Sequence, residues 1–165
     1  ATMPTYIGTT SGFKSFQDFA EWATAQYGYL HKDKSGMYWQ LDKDLKVHGN
    51  KQYNPESCIF VPQRVNCLLI ASNSSRGDYP IGVTYRKQSG KFQAGCSTGE
   101  GRQEYLGVFD CPFVAHKAWQ QYKIKIIQRF LAEDEEVKNH AELVAALLMQ
   151  IQRLEDDLLQ GRETL

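Results

Sequence analysis

Residues 82–109 read GVTYRKQSGKFQAGCSTGEGRQEYLGVF. Three stretches of this run, at 83–87, 92–97 and 102–108, carry β-branched and aromatic residues and read as short strands. Ser89-Gly90 and Gly99-Glu100-Gly101 stand between them as turns. The run predicts a three-stranded antiparallel meander. Pro112 follows at a place suited to the first turn of a helix. Phe113, Ala115, Ala118, Trp119, Tyr122, Ile126 and Phe130 give that helix an apolar face. Side chains alternate along a strand, so Phe92, Ala94 and Cys96 share the face that the helix covers. Gln93, Gly95 and Ser97 point the other way.

Upstream, Phe16, Phe19, Trp22 and Ala23 have helical spacing, with Ser15 as N-cap. Residues 37–41 read as a strand, and residues 42–53 are polar and turn-rich. Cys58 to Val61 and residues 65–70 are apolar again. Residues 72–78 are small, polar and turn-forming, which marks a linker. Downstream, residues 133–136 are a charge run. Leu143, Leu147, Met149 or Gln150, Leu154 and Leu158 approximate a three-to-four spacing. That stripe suits a helix folding back on the same chain or a dimer zipper through residues 137–160. Gly161 is a natural stop. The expected fold is α+β in three parts: residues 1–73, a sheet-and-helix unit at 74–131, and an acidic helical tail at 132–165.

The chain is neutral overall, with 19 Lys/Arg and 19 Asp/Glu, but the charges are unevenly placed. Residues 82–131 hold 8 basic and 3 acidic side chains, a net +5, while residues 132–165 hold 3 and 9, a net −6. A basic centre beside an acidic tail suits a segment that meets phosphates. Cys58, Cys67, Cys96 and Cys111 form no CxxC or CxxH pair, so a zinc finger is not expected and reduced thiols are. No apolar run reaches the roughly 18–20 residues of a membrane helix. No basic-then-apolar leader opens the sequence, and Ala1-Thr2 lacks an initiator Met. A cytoplasmic protein with no membrane partner is the expectation.

The order Gly82-Val83-Thr84-Tyr85-Arg86, Ser89-Gly90-Lys91-Phe92-Gln93-Ala94 and Tyr105-Leu106-Gly107-Val108-Phe109-Asp110, followed by an Ala-bearing helix, resembles the Apetala-type domain. That domain is known from plant ethylene-response factors and occurs beside phage and homing endonucleases. The resemblance implies a sheet laid in the DNA major groove and backed by one helix. By position it places Thr84, Arg86, Gln103 and Tyr105 toward DNA. Gln93 and Ser97 share that side. Arg can fork onto guanine and Gln onto adenine. Lys87, Lys91 and Arg102 suit phosphate contacts, which hold register without reading sequence. The family usually carries more arginines on this face and a Trp where Phe92 stands, which implies modest sequence specificity.

Leu41-Asp42-Lys43-Asp44, Gly49-Asn50-Lys51, Tyr53-Asn54-Pro55-Glu56-Ser57-Cys58, Val61-Pro62 and Asn66 resemble a divergent HNH endonuclease module. The whole of residues 5–70, including Tyr6-Ile7-Gly8, is similar to phage HNH homing endonucleases. The resemblance implies a ββα-metal arrangement with Asp42 and Asn66 as oxygen ligands of a divalent ion, Mg or Mn. It places Lys43 where the catalytic His would stand. A lysine at ordinary pKa is protonated at neutral pH and is a poor base. A base could come from Lys43 with a depressed pKa, from His48, or from His31.

Three functions are therefore open. The first is a double-stranded DNA-binding homing or nicking endonuclease of phage type. The second is a non-catalytic phage DNA-binding regulator whose HNH-like half is scaffold and whose C-terminal helices bind a partner. The third, resting on the acidic tail alone, is a protein-binding inhibitor.

Overall fold

The computed structural model describes residues 9–69 and 77–165. Most of the expected linker at 72–78, and Tyr6, Ile7 and Gly8 of the HNH-like resemblance, lie outside the described residues. The chain is mixed α+β, with five helices and three small sheets among the described residues.

The first part holds β1 (Thr10–Ser11), α1 (Phe16–Thr24), β2 (Gln40–Asp42), β3 (Gln52–Tyr53), β4 (Ile59–Val61) and α2 (Gln63–Leu69). Ser15 caps α1, its hydroxyl accepting from the Asp18 amide at 3.1 Å. Ala23 is buried, and Trp22 stacks on Phe60 with ring centres 6.1 Å apart. Phe16, expected on the same face, is 75% exposed at the solvent end of the helix. The strand expected at 37–41 begins only at Gln40. Before it, Asp33 Oδ1 accepts from the amides of Ser35 and Met37 at 2.9 and 3.1 Å and ties that stretch into a tight loop. β2 pairs antiparallel with β4, with Asp42 opposite Ile59. Residues 59–61 are wholly buried, and Pro62 leads into α2, whose Val65 and Leu68 are buried too.

The second part is the expected meander. β5 (Val83–Arg86), β6 (Lys91–Ser97) and β7 (Gln103–Phe109) form an antiparallel sheet in that order. Thr84 lies opposite Gln93 and Arg86 opposite Lys91. A bulge at Ala94/Gly95 breaks the β6–β7 register: Phe92 faces Phe109 on one side of it and Gly95 faces Tyr105 on the other. The extra residue re-aims side chains, so Val108 joins the row of Gln93 while Phe109 joins that of Phe92. Ala94 and Cys96 are buried under α3 (Pro112–Glu133), which opens on the expected proline. Gly82 carries φ 78°, and a Cβ there would stand 2.0 Å from Trp119 Cδ1, so only glycine lets the chain pass under that indole.

α3 is buried on more than the apolar stripe. Ala115, Trp119, Ile126 and Phe130 are covered as expected, but so are His116, Gln120 and Lys123, while Phe113 is 61% exposed. The reason is that α3 lies between two layers, the sheet on one side and α5 (Ala141–Gln160) on the other. α4 (Glu135–Lys138) makes the turn between them, with Asp134 as its cap. Leu143, Leu147, Ile151 and Leu154 of α5 are buried within the chain, so the leucine stripe is used intramolecularly. The largest buried cluster runs from Val61, Val65 and Leu68 through Cys96, Trp119 and Ile127 to Val137, Leu143 and Leu147. All four cysteines are free thiols. No helix among the described residues is long and apolar enough to cross a membrane.

An ionic joint links the first part to the helices. Arg64 of α2 donates through Nε and a terminal nitrogen to both carboxylate oxygens of Asp134, each at 2.7 Å. The same guanidinium reaches Glu136 at 2.5 Å and Asp33 at 3.5 Å.

Candidate functional site

Two surfaces bring together residues singled out in the sequence. The first is the face of the β5–β7 sheet turned away from α3. Strand alternation and the register above place Thr84, Arg86, Lys91, Gln93, Ser97, Gln103 and Tyr105 on it together. Thr84, Arg86, Lys91, Gln103 and Tyr105 are exposed, while Gln93 and Ser97 are half-buried on the central strand. The middle of the face is low because Gly95 and Ser97 are small. Gln103 leans over this floor, its Nε2 3.3 Å from where a Cβ on Gly95 would be. Lys87 and Arg102 lie just beyond the strand ends, exposed.

Among the described residues, Arg86, Lys87 and Arg102 enter no ion pair, whereas Lys91 pairs with Asp110 at 3.0 Å. An exposed pair of that kind is worth little and opens readily for another anion. Glu104, opposite Cys96 in the register, belongs to the helix side of the sheet. The outer face thus carries basic and amide side chains without an acidic one from its strands.

The second surface is a cavity of about 500 Å³ between the first part and the helices. Asp42, Asp44, His48 and Asn66 line one side; Trp119, Lys123, Ile127, Gln150 and Arg153 line the other. β2 ends at Asp42, and its Oδ1 accepts from the amides of Asp44 at 3.0 Å and Leu45 at 2.7 Å. This turns the chain out of the strand, and the Asp42 carboxyl also meets the Asp44 side chain. Burial raises the Asp42 pKa; the Leu45 amide opposes this and the nearby Asp44 carboxylate adds to it. Asn66 donates its Nδ2 to Gln40 Oε1 at 2.6 Å.

The structure separates the three base candidates. Lys43 pairs with Asp44 at 3.0 Å and lies 5.9 Å from the Tyr53 ring centre, and it is not in the cavity lining. His31 lies 5.0 Å from the Trp39 ring and 3.7 Å from Glu136, away from the same lining. His48 alone of the three faces the cavity. Its pKa is lowered, first by partial burial and then by the Arg153 charge, against the pull of Asp44 and Asp157. Its ring is neutral at neutral pH, the form in which an imidazole accepts a proton.

Arg153 and Lys123 were not picked out from the sequence. The signal for Arg153 was faint: it follows Gln150 by three positions and interrupts the apolar stripe of α5 on its buried side. Lys123 gave none, since a lysine within a basic helix reads as solvated. Here it is 7% exposed, donates to the Leu68 carbonyl, and has a pKa lowered by burial, with Cys96 pulling the other way.

Among the described residues, no group of three or more His, Cys, Asp or Glu converges as a metal-binding set. The side-chain oxygens of Asp42 and Asn66 are hard donors of the kind Mg²⁺ takes, in ones or twos, alongside water and phosphate. Compared with family models, with curated proteins and with solved structures, the chain matches none.

Proposed function

We propose that this chain binds double-stranded DNA through the outer face of the β5–β7 sheet. The observation that carries this is the gathering of Thr84, Arg86, Gln93, Gln103 and Tyr105 on one helix-free face, with Lys87 and Arg102 at its margins and no strand carboxylate among them. A two- or three-stranded ribbon fits the major groove, where Arg and Gln can read base edges. Lys87 and Arg102 at the margins meet phosphates, and affinity then falls steeply with salt. Titrating a short duplex at rising salt tests this. Binding should weaken with several phosphates' worth of slope. Arg86→Ala should cost about 1–3 kcal/mol and relax sequence preference. Full affinity and unchanged preference in Arg86→Ala would remove Arg86 from the interface. No binding even at low salt would end the proposal.

A second reading, HNH-type nicking, draws support from Asp42, His48 and Asn66 lining one cavity. A divalent ion on Asp42 and Asn66 would supply charge neutralisation at a phosphate. His48 takes the proton of the attacking water in this reading, and Lys43 has no part in it. Supercoiled plasmid incubated with Mg²⁺ or Mn²⁺ tests it. Nicking that Asp42→Ala and His48→Ala both abolish is the expected result. Absence of nicking with either metal would leave DNA binding without catalysis, the regulator-like alternative.

A further inference from the structure

The cavity of Asp42, His48 and Asn66 is closed on one side by the residues that follow α5. Gly161 takes the left-handed conformation at φ 65° and turns the chain out of the helix. Thr164, three residues on, is only 6% exposed. Its amide donates to His116 Nε2 at 3.1 Å. Its hydroxyl donates to Asp157 Oδ2 at 3.0 Å and accepts from Gln120 Nε2 at 2.9 Å. Gln120 also donates to the Arg162 carbonyl at 3.0 Å, and Arg162 pairs with Asp157 at 3.1 Å. Because His116 Nε2 accepts, its Nδ1 carries the proton, which it gives to the Ile81 carbonyl at 2.9 Å. Thr164 and Leu165 stand in the same cavity lining as Asp42, His48 and Asn66. Arg153 stands there too, and its guanidinium donates to the main-chain oxygen of Leu165.

The Arg153 guanidinium, half-buried in the cavity lining, is a donor of the kind that takes a phosphodiester oxygen. In this structure its partner is an oxygen of the chain itself. The segment that supplies that oxygen has no helix or strand of its own. It is held by side-chain hydrogen bonds, the kind of element that opens locally at lower cost than a packed helix. We infer that residues 162–165 are an internal plug, occupying at Arg153 the position a DNA phosphate oxygen would take and leaving when DNA enters the cavity. This rests on the second reading above, in which DNA reaches the cavity, and adds Arg153 as a phosphate-binding group there.

Thr164→Pro tests it, because proline removes the amide hydrogen given to His116 and the hydroxyl shared with Gln120 and Asp157 without shortening the chain. Two readouts are taken: the rate at which a water-soluble carbodiimide labels Asp42, read by peptide mass spectrometry, and affinity for a short duplex. Labelling should quicken by about fivefold or more and duplex binding should tighten by a similar factor. Arg153→Gln added to Thr164→Pro should abolish the tightening. Unchanged Asp42 labelling, or tightening that survives Arg153→Gln, overturns the inference. Faster labelling with no duplex binding by either protein supports the plug while rejecting the DNA reading. On the unaltered chain, hydrogen exchange at the Thr164 amide should speed up when duplex is added to saturation. Where duplex does bind the unaltered chain, unchanged protection there also overturns the inference, whether or not Thr164→Pro folds.

Discussion

Arg64→Met should cost the protein about 3–5 kcal/mol, the loss expected when one partner of a buried ionic cluster is removed. The magnitude follows from burial on both sides of the contact. The Arg64 and Asp134 side chains are each 8% exposed and that of Asp33 is 3% exposed. Methionine fills much of the arginine's volume but leaves two buried carboxylates, and a third in Glu136, with only the exposed Lys34, 3.9 Å from Asp134, as a lysine or arginine partner. Part of the arginine's own contribution is already offset. Its Nη1 has no hydrogen-bond partner among the described residues, so its approach to Asp33 at 3.5 Å is electrostatic only. Against a typical total stability of about 5–15 kcal/mol, such a loss is large. It corresponds to a melting temperature lower by roughly 10 °C for a chain of this size.

Thermal unfolding followed by circular dichroism, at neutral and acidic pH, measures this. Burial works to raise the Asp134 pKa, but the hydrogen bonds and charge of Arg64 prevail and hold it below the ordinary 3.8. A lowered carboxylate pKa contributes stability that is present above the unfolded value and lost as pH falls through the folded one. The gap between wild type and Arg64→Met should therefore be full at neutral pH and narrow once pH drops below about 3.8. A loss under about 1 kcal/mol at neutral pH would refute the reasoning, since it would put the cluster in the range of exposed pairs. So would a gap that widens on acidification.

Gly82→Ala should destabilise by about 2–5 kcal/mol, combining left-handed strain with a collision against Trp119; urea unfolding measures it, and a change below about 0.5 kcal/mol would mean the indole moves aside freely. If metal-dependent nicking is present, its rate should stay level near neutral pH and fall as the pH drops through a value below the ordinary histidine 6.5, because only neutral His48 accepts a proton. A rate that instead rises on acidification would assign the base elsewhere.

Local rules carried a good part of this protein. Alternation along residues 92–97, with glycines at the turns, foresaw the meander and put Gln93, Gly95 and Ser97 on its outer face; Thr84, Arg86, Gln103 and Tyr105 were placed there by the Apetala-type resemblance. The Ser15 cap, the Pro112 helix start and the Gly161 stop were legible for the same reason: each is decided by hydrogen bonds and dihedral limits within a few residues. Register shifts were not legible. The bulge at Ala94/Gly95 moves Val108 and Phe109 to faces that simple alternation along β7 does not give them.

The cavity belongs to the tertiary structure. Asp42 and Asn66 were paired through the HNH-like resemblance, and the chain does line one cavity with both. Whether Lys43 or His48 would join them depended on how residues 42–50 turn, and the Asp42 carboxylate sets that turn by capping the amides of Asp44 and Leu45. Arg153, Lys123 and Thr164 reach the cavity only because α3 is packed on two sides and α5 folds back over it. Side-chain chemistry and strand periodicity are written residue by residue, and so the central strand's share of the outer face was determined by sequence alone, while the bulge decided where Val108 and Phe109 point. Which distant side chains meet in the cavity was decided by the packing of layers, a sum over contacts that no short stretch of sequence contains.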